Sequence, residues 1–143
     1  MDLERYAGTW YEIASYPNRF QKGCTATRAT YTLWPDGKIR VRNECRRGSL
    51  EGDWDSVTGR AWVPDPASPA KLKVSFFWPF RGDYWILHVG EGYRTAVVGS
   101  PSREYLWILS RTPHLEESEY QDLVRIAAER GFDPARLVRT PQP

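Results

Sequence analysis

The sequence predicts an all-β fold with a single helix near its carboxyl end. Short runs in which apolar and polar residues alternate, bounded by turn residues, are typical of an antiparallel meander that forms a barrel or a sandwich. Aromatic residues make up 14% of the 143 residues, with seven Trp, eight Tyr and five Phe. Such a content favours pleated surfaces and a lined interior over a helical bundle.

Eight strands are expected, joined mainly by short turns. The first covers residues 10–15 and is followed by an irregular loop with Pro17 and Gly23. A hairpin turn is expected at Asp36 and Gly37, because Gly tolerates the positive φ of a tight turn. The other strands are expected over residues 25–33, 39–45, 71–77, 84–89, 95–99 and 105–110, with one more inside 51–63.

A helix is predicted over residues 116–130, where the hydrophobic period changes. Its apolar stripe consists of Tyr120, Leu123, Val124 and Ala127. Glutamates lie near its amino end and Gly131 can end it, as helix termini favour. We expect the stripe to pack against the outside of the sheet, and the tail over 132–138 to add a short edge strand.

Size and charge limit the classes of function. The length fits a single domain over residues 1–143, and the net charge is only +2. Basic and acidic residues are interspersed, which argues against a nucleic-acid partner, and the basic residues from Arg40 to Arg47 are interpreted as a solvated outer face. No apolar run is long enough to span a membrane. No apolar signal segment precedes Tyr6, so we expect a cytoplasmic protein or one whose export signal is absent from this chain.

Two cysteines, Cys24 and Cys45, allow one disulfide or two free thiols. In the ideal register of the predicted hairpin, Cys24 lies opposite Ser49 and Cys45 opposite Arg28. The cysteines are then about four residues out of step, beyond disulfide reach unless a bulge closes the offset. Their position at the same end of the hairpin favours a bridge.

The sequence offers few groups for catalysis. His88 and His114 belong to no metal-ligand spacing or nucleophile motif, and no pair of carboxylates suggests acid–base chemistry. We therefore expect no metal, no cofactor and no enzymatic activity.

Four segments, in order, resemble the lipocalin family, especially its bacterial and apolipoprotein D-like branch. They are residues 8–14 (GTWYEIA), 29–33 (ATYTL), 71–76 (KLKVSF) and 105–113 (YLWILSRTP). The resemblance covers nearly the whole chain. It implies an eight-stranded antiparallel up-and-down β-barrel of the calycin type, with one C-terminal α-helix packed outside.

One group of residues is expected to close an end of this barrel. The start of strand one, the end of strand eight and the turn between strands six and seven lie at the same end. This brings together Gly8, Trp10, Tyr93 and Arg111, and an Arg over an indole ring gains cation–π energy. In lipocalins the matching Trp and Arg plug the closed end, so we assign these residues to stability.

The ligand-lining residues follow from strand alternation, counted from Arg111. They are Tyr31, Asn43, Val74, Phe76, Tyr84, Ala96, Val98, Trp107 and Leu109, while Leu106 and Ile108 point outward to the helix. Trp107 could simply pack in the core, but the matching Trp of the apolipoprotein D-like branch lines the ligand cavity. Arg28, Asn43 or Tyr84 could meet a polar head group.

The segment FFWPF at residues 76–80 lies at the expected open end. Trp78 and Phe80 would form an apolar lip there, serving as a ligand gate, a membrane-surface contact or a dimer patch. Alternatively, the rings fold back and fill the mouth.

The preferred function is non-covalent storage or transport of a small hydrophobic ligand, such as a fatty acid or a lysophospholipid, by a monomer or homodimer. The alternative is a lipocalin-fold isomerase or de-epoxidase that uses Cys45 as its reactive thiol, with Arg46 and Arg47 lowering the thiol pKa. The bacterial lipocalins that the chain resembles are typically outer-membrane lipoproteins. The resemblance thus implies the periplasmic face of the outer membrane, with a cytoplasmic location as the alternative.

Overall fold

The computed structural model describes residues 1–18, 21–77 and 80–143, with the backbone alone for Phe77 and Phe80. The described strands are β1 (Gly8–Ser15), β2 (Cys24–Leu33), β3 (Ile39–Arg47), β4 (Trp54–Trp62), β5 (Lys71–Phe77), β6 (Phe80–Val89), β7 (Thr95–Gly99), β8 (Leu106–Ser110) and β9 (Val138–Arg139). The first eight run in the order β2-β3-β4-β5-β6-β7-β8-β1, and β1 also pairs with β2, which closes an antiparallel up-and-down barrel. The predicted fold class is thereby confirmed.

Strand β1 changes partner half-way along its length. It pairs with β2 from Gly8 to Tyr11, and with β8 from Tyr11 to Ser15. A bulge between Glu12 and Ala14 bends it away from β2. If no other segment lay between them, β1 and β2 would be separated by a gap towards the open end of the barrel.

The carboxyl-terminal tail fills this gap. Strand β9 pairs with the end of β1, and beyond it the Thr140 amide donates to the Ile13 carbonyl (2.9 Å) while the Ala26 amide donates to the Pro141 carbonyl (2.8 Å). The Gln142 side-chain amide donates to the carbonyls of Glu12 (2.8 Å) and Thr27 (3.1 Å). The tail thus satisfies backbone groups that the parted strands leave without a ladder partner.

Helix α2 (Glu117–Glu129) packs on the outside of the barrel, as the hydrophobic pattern predicts. Its buried residues Tyr120, Leu123 and Ala127 form one cluster with the outward-facing Leu106 and Ile108. Burial of each such aliphatic side chain contributes about 1.5–3 kcal/mol. No helix of the described residues has the length and apolar character needed to cross a bilayer.

A second helix, α1 (Leu3–Tyr6), precedes the barrel and was not predicted. The Asp2 carboxylate caps it by accepting from the amides of Glu4 (3.0 Å) and Arg5 (3.4 Å). A helix of one turn is too short to show a hydrophobic period, so the sequence analysis placed helical structure only near the carboxyl end. Because Tyr6 is buried in the barrel core, α1 forms part of the closed end.

The cysteines are closer in register than the sequence analysis expected. Leu33 pairs with Ile39, so the hairpin is centred on Asp36. The residues of β2 next to the turn therefore each lie opposite a residue one position earlier in β3 than in the ideal register assumed from the sequence. A bulge then sets Ala26, with φ +52°, and Thr27 against the single residue Cys45. Cys24 pairs with Arg47, two residues from Cys45 instead of four, and the two cysteines form a disulfide with their Cα atoms 5.4 Å apart.

Candidate ligand-binding site

The closed end of the barrel is organised by Trp10 and Arg111. The Trp10 ring is completely buried, and its Nε1 donates to the Tyr6 carbonyl at 2.7 Å. The Arg111 guanidinium carbon lies 3.7 Å from the centre of this ring, a cation–π geometry. The guanidinium also donates to the carbonyls of Tyr93 (3.1 Å), Thr9 (3.1 Å), Arg5 (2.7 Å) and Tyr6 (3.1 Å).

Gly8 lies beside the same guanidinium. Its φ of +105° belongs to a region that L side chains rarely adopt, and an added Cβ would lie 3.2 Å from Arg111 Nη1. The structure therefore brings together the four residues placed at the closed end from the sequence, Gly8, Trp10, Tyr93 and Arg111. Through their hydrogen bonds to backbone carbonyls, Arg111 and Trp10 connect the start of the chain with the turn at Tyr93.

Three tyrosine hydroxyls meet inside the barrel, just above this plug. Tyr84 donates to the Tyr31 hydroxyl (2.8 Å) and shares a hydrogen bond with the Tyr6 hydroxyl (2.5 Å). Burial raises the pKa of all three phenols, that of Tyr31 to about 12. The hydroxyls therefore stay protonated at neutral pH and satisfy one another in an otherwise apolar region.

The closed half of the barrel is almost filled. A void of about 10 Å³ remains beside the three tyrosines, lined by Leu3, Ala7, Leu33, Ile39, Val41, Ala61, Leu72 and Val74. This is room for about one water molecule. A ligand of several carbon atoms therefore has no space in this half.

The open half is less tightly closed. Within the described residues, β4 pairs with β5 only from Arg60 to Trp62, so its first six residues have no ladder partner on β5. Val57 pairs with Asn43. Strand alternation places both residues on the inward face of the sheet, as it does Val41. Nevertheless Val57 is 37% exposed and Asn43 is half-buried. The interior is thus accessible to solvent at this level.

A buried carboxylate, Glu12, also faces this half. It accepts hydrogen bonds from the Gln21 side-chain amide (2.7 Å) and from the Thr140 hydroxyl. The Gln21 carbonyl oxygen accepts from the Trp107 indole N–H at 3.0 Å. Burial raises the pKa of Glu12, and the hydrogen bonds from Thr140, Gln21 and Ser15 partly oppose that rise.

Glu12 and Gln21 were not among the interior residues predicted from the sequence. Trp10 points inward, so strand alternation applied from Trp10 would have placed Glu12 inward as well. No local signal could have found Gln21, because it lies in the irregular loop between β1 and β2 and reaches Glu12 only through the fold.

The interior cluster contains most of the residues that the sequence analysis assigned to the ligand. These are Tyr31, Val74, Phe76, Tyr84, Ala96, Val98, Trp107 and Leu109. Asn43 lies on the same inward face. Trp78 lies outside the described residues, as does the side chain of Phe80.

Of the three suggested head-group contacts, Arg28 is wrong. Arg28 faces outward, where it forms an ion pair with Glu44 (3.3 Å) and lies 4.3 Å from the centre of the Trp54 ring. Tyr84 and Asn43 stay predictions. The Tyr84 hydroxyl contacts those of Tyr6 and Tyr31, whereas Asn43 lies on the half-buried part of the inward surface.

A cleft of about 570 Å³ lies where β1 and β2 part, between the loop after β1 and the carboxyl-terminal tail. Its lining combines polar side chains such as Glu12 and Gln21 with the apolar Val138 and Pro141. The Thr27 hydroxyl is buried there without a hydrogen-bond partner among the described residues. The cleft therefore has both polar and apolar walls.

Groups for other chemistry are sparse. Across residues 1–18, 21–77 and 80–143, no cluster of three or more His, Cys, Asp or Glu could hold a metal ion. Burial lowers the pKa of His88, and the His114 ring contacts the Pro143 carbonyl (2.6 Å). The disulfide to Cys24 leaves no Cys45 thiolate for the isomerase or de-epoxidase alternative.

A closed eight-stranded up-and-down barrel, with an Arg–Trp plug at one end and an accessible interior at the other, is the architecture of a lipocalin. Comparison with known families gives the same result, since the model of the lipocalin-like domain matches residues 1–142. The chain belongs to the lipocalin family, whose members generally bind small hydrophobic ligands.

Similar proteins come from plants, bacteria and animals. The chain is 49% identical over 151 residues to temperature-induced lipocalin-1 of Arabidopsis thaliana, covering 99% of this chain and 80% of that protein. It is 43% identical over 142 residues to the outer membrane lipoprotein Blc of Citrobacter freundii, with 99% and 80% covered. It is 32% identical over 148 residues to apolipoprotein D of Macaca fascicularis, with 99% and 77% covered. The predicted resemblance to this branch is confirmed.

Solved structures show the same fold at lower sequence identity. Lobster apocrustacyanin A1 superposes with a TM-score of 0.77 at 20% identity, covering 98% of this chain and 79% of that one. At this identity the likeness concerns the fold alone.

Proposed function

We propose that the protein stores or transports a small hydrophobic ligand of the fatty-acid or lysophospholipid class, bound without catalysis in the open half of the barrel. The observation that carries the proposal is the contrast inside the barrel. The closed half is filled, whereas Val57 is 37% exposed although its strand position points inward. An apolar inward surface that water can reach is where an acyl chain gains most from burial.

The lining divides into a floor and walls. Tyr31, Val74, Tyr84, Ala96, Val98 and Leu109 belong to the packed cluster at the base. Asn43, Phe76 and Trp107 stand higher, and we place the acyl chain against them and Val57. Each buried methylene contributes roughly 0.8 kcal/mol, so about fifteen give a gross stabilisation of about 12 kcal/mol, which leaves the roughly 8 kcal/mol of micromolar affinity after an association cost of about 4 kcal/mol.

The head group belongs at the mouth in this proposal. Gln21 donates a hydrogen bond to Glu12 and accepts one from the Trp107 indole, so Glu12 lies deep in the site. The Glu12 carboxylate would repel a carboxylate or phosphate brought close to it. An anionic or zwitterionic head group is therefore directed outward, towards the Asn43 amide.

We also propose a location at the cell envelope, on the periplasmic face of the outer membrane. The support is the bacterial relative, whose name describes an outer membrane lipoprotein. The ligand is the partner proposed here, for a protein acting as a monomer or homodimer within a single domain.

Titration tests the ligand class and its place. Palmitic acid and lysophosphatidylcholine are titrated separately, with tryptophan fluorescence as the signal and native mass spectrometry for the stoichiometry. Ala29 faces inward opposite Asn43, so Ala29→Phe is expected to weaken binding at least about ten-fold by filling the open half. Thr32→Phe, on the outward face of the same strand, serves as the matched control and should bind normally.

Two results would contradict the proposal. One is a wild-type barrel that binds neither lipid. The other is a loss of affinity that is equal in the Ala29→Phe and Thr32→Phe variants, because the site would then not be the interior of the open half.

A further inference from the structure

The outer wall of the barrel carries an excess of positive charge. Outward positions of β2 to β5 hold seven cationic side chains, which we term the basic wall: Arg28, Arg40, Arg42, Arg46, Arg60, Lys71 and Lys73. From the sequence alone, the basic run on β3 is interpreted as an ordinary solvated face. Strand register adds Arg28, Arg60, Lys71 and Lys73 from neighbouring strands to the same surface.

The basic wall is poorly neutralised. Among the described outward positions of β2 to β6, Glu44 and Asp83 are the carboxylates. Glu44 contacts Arg28 (3.3 Å) and Arg42 (3.8 Å), and Asp83 contacts Lys73. Two negative charges cannot balance seven positive ones.

Two of these cations occupy opposed positions on neighbouring strands. Arg40 on β3 lies directly opposite Arg60 on β4. The strand register therefore concentrates positive charge in one part of the basic wall.

The opposite side of the barrel has the opposite sign. Helix α2 covers β7, β8 and β1, and it carries Glu117, Glu119, Asp122 and Glu129. Arg139 forms an ion pair with Glu117 and Arg125 with Asp122, which leaves an excess of negative charge on the helix. The small net charge of +2 therefore conceals a basic side and an acidic side. Such a separation orients a protein in the field of a charged surface.

Tryptophan rings lie among the cations of the basic wall. Trp54 is 43% exposed, and the guanidinium carbons of Arg28 and Arg46 lie 4.3 and 4.5 Å from its ring centre. The Lys71 ammonium lies 4.5 Å from the centre of Trp85. Indole rings beside cationic groups suit the head-group layer of a bilayer, where the ring is amphipathic and the cations meet phosphates.

A nucleic acid fits this surface less well. Single-stranded nucleic acids bind by stacking their bases on available aromatic faces. Two guanidinium groups already occupy the Trp54 ring, which leaves little of it for a base.

We infer that the basic wall is a docking surface for a phospholipid bilayer with anionic head groups. The inference concerns the outside of the barrel and goes beyond ligand binding in the interior. Docked in this way, the molecule faces the membrane with β2 to β5 and turns its acidic helix α2 to solvent.

Vesicle sedimentation tests the inference with a charge-matched pair of variants. The full chain is mixed with vesicles of phosphatidylcholine alone, or of phosphatidylcholine with about one third phosphatidylglycerol, at low salt. Arg40→Gln combined with Arg60→Gln removes two cations from the basic wall. Arg125→Gln combined with Arg130→Gln removes two from the opposite side and gives the same net charge.

Wild-type protein is expected to bind only the anionic vesicles, and added salt should release it. Loss of Arg40 and Arg60 should weaken binding by roughly ten- to thirty-fold, at about 1 kcal/mol for each surface cation. The control pair should bind like wild type, and both variants should still bind palmitic acid, which separates this test from that of the interior site.

The inference is wrong if wild type ignores the anionic vesicles, or if both double variants lose binding equally. It is also wrong if heparin or a single-stranded oligonucleotide is bound at the same salt concentration while the vesicles are not.

Discussion

The two ends of the barrel differ in how completely their groups are engaged. At the closed end Arg111 stacks on Trp10 and donates four hydrogen bonds to backbone carbonyls. In the open half, β1 leaves β2, most of β4 lacks β5 as a partner within the described residues, and a carboxylate is buried. The residues that carry the family resemblance most strongly therefore lie at the tightly packed end, and we propose that the half that is less tightly closed selects the ligand.

The largest effect is expected from Trp10→Ala. Removing a completely buried indole should lower the free energy of unfolding by about 3–5 kcal/mol. Urea denaturation measures the loss. Trp34, which is 49% exposed at the turn between β2 and β3, provides the control, and Trp34→Ala should change stability by less than about 0.5 kcal/mol. Equal losses in the two variants would show that the closed end is not held by its buried plug.

Reduction of the disulfide should have the next largest effect. The bridge between Cys24 and Cys45 ties β2 to β3 near the open end. Its loss is expected to lower stability by about 2–4 kcal/mol, mainly through the freedom gained by the unfolded chain. Urea denaturation with and without dithiothreitol measures the effect, and the Cys24→Ala, Cys45→Ala double variant should not respond to the reductant. A response of that double variant would assign the effect to something other than the bridge.

Glu12→Gln should change how stability depends on pH. Burial raises the pKa of Glu12 above its ordinary value of 4.5, so the folded state binds this proton more tightly than the unfolded state. Its contribution to stability is complete below that ordinary value and is lost as the pH rises through the folded pKa. The variant should therefore gain stability relative to wild type across this window. Urea midpoints at a series of pH values measure it, and a difference independent of pH would contradict the buried-acid assignment.

The smallest effect on stability is expected from Val57→Ser. Val57 is 37% exposed, so the free energy of unfolding should change by less than about 0.5 kcal/mol. If Val57 contacts the acyl chain, palmitic acid affinity should fall about five-fold, as expected for a loss of about 1 kcal/mol of apolar contact. Thr58→Ser, on the outward face beside it, should bind normally. Unchanged affinity in Val57→Ser would place the chain elsewhere in the barrel.

The sequence predicts those features that depend on local periodicity. Alternation over residues 39–45 and the apolar stripe of α2 identify their elements, because side-chain direction repeats regularly in strands and helices. The register of Cys24 with Cys45 could not be derived in this way, since the bulge at Ala26 and Thr27 depends on the tertiary fold. Likewise, Arg40 meets Arg60 only because β3 and β4 pair in a particular register.

Hydrogen–deuterium exchange with and without palmitic acid tests the central claim most directly. Amides of residues 54–59, for which the described residues provide no ladder partner on β5, and those around Asn43 should become protected when the lipid binds. Amides of residues 8–11 and 109–111, at the plugged end, should exchange at the same rate in both states. Protection confined to the closed end would contradict the assignment of the ligand to the open half.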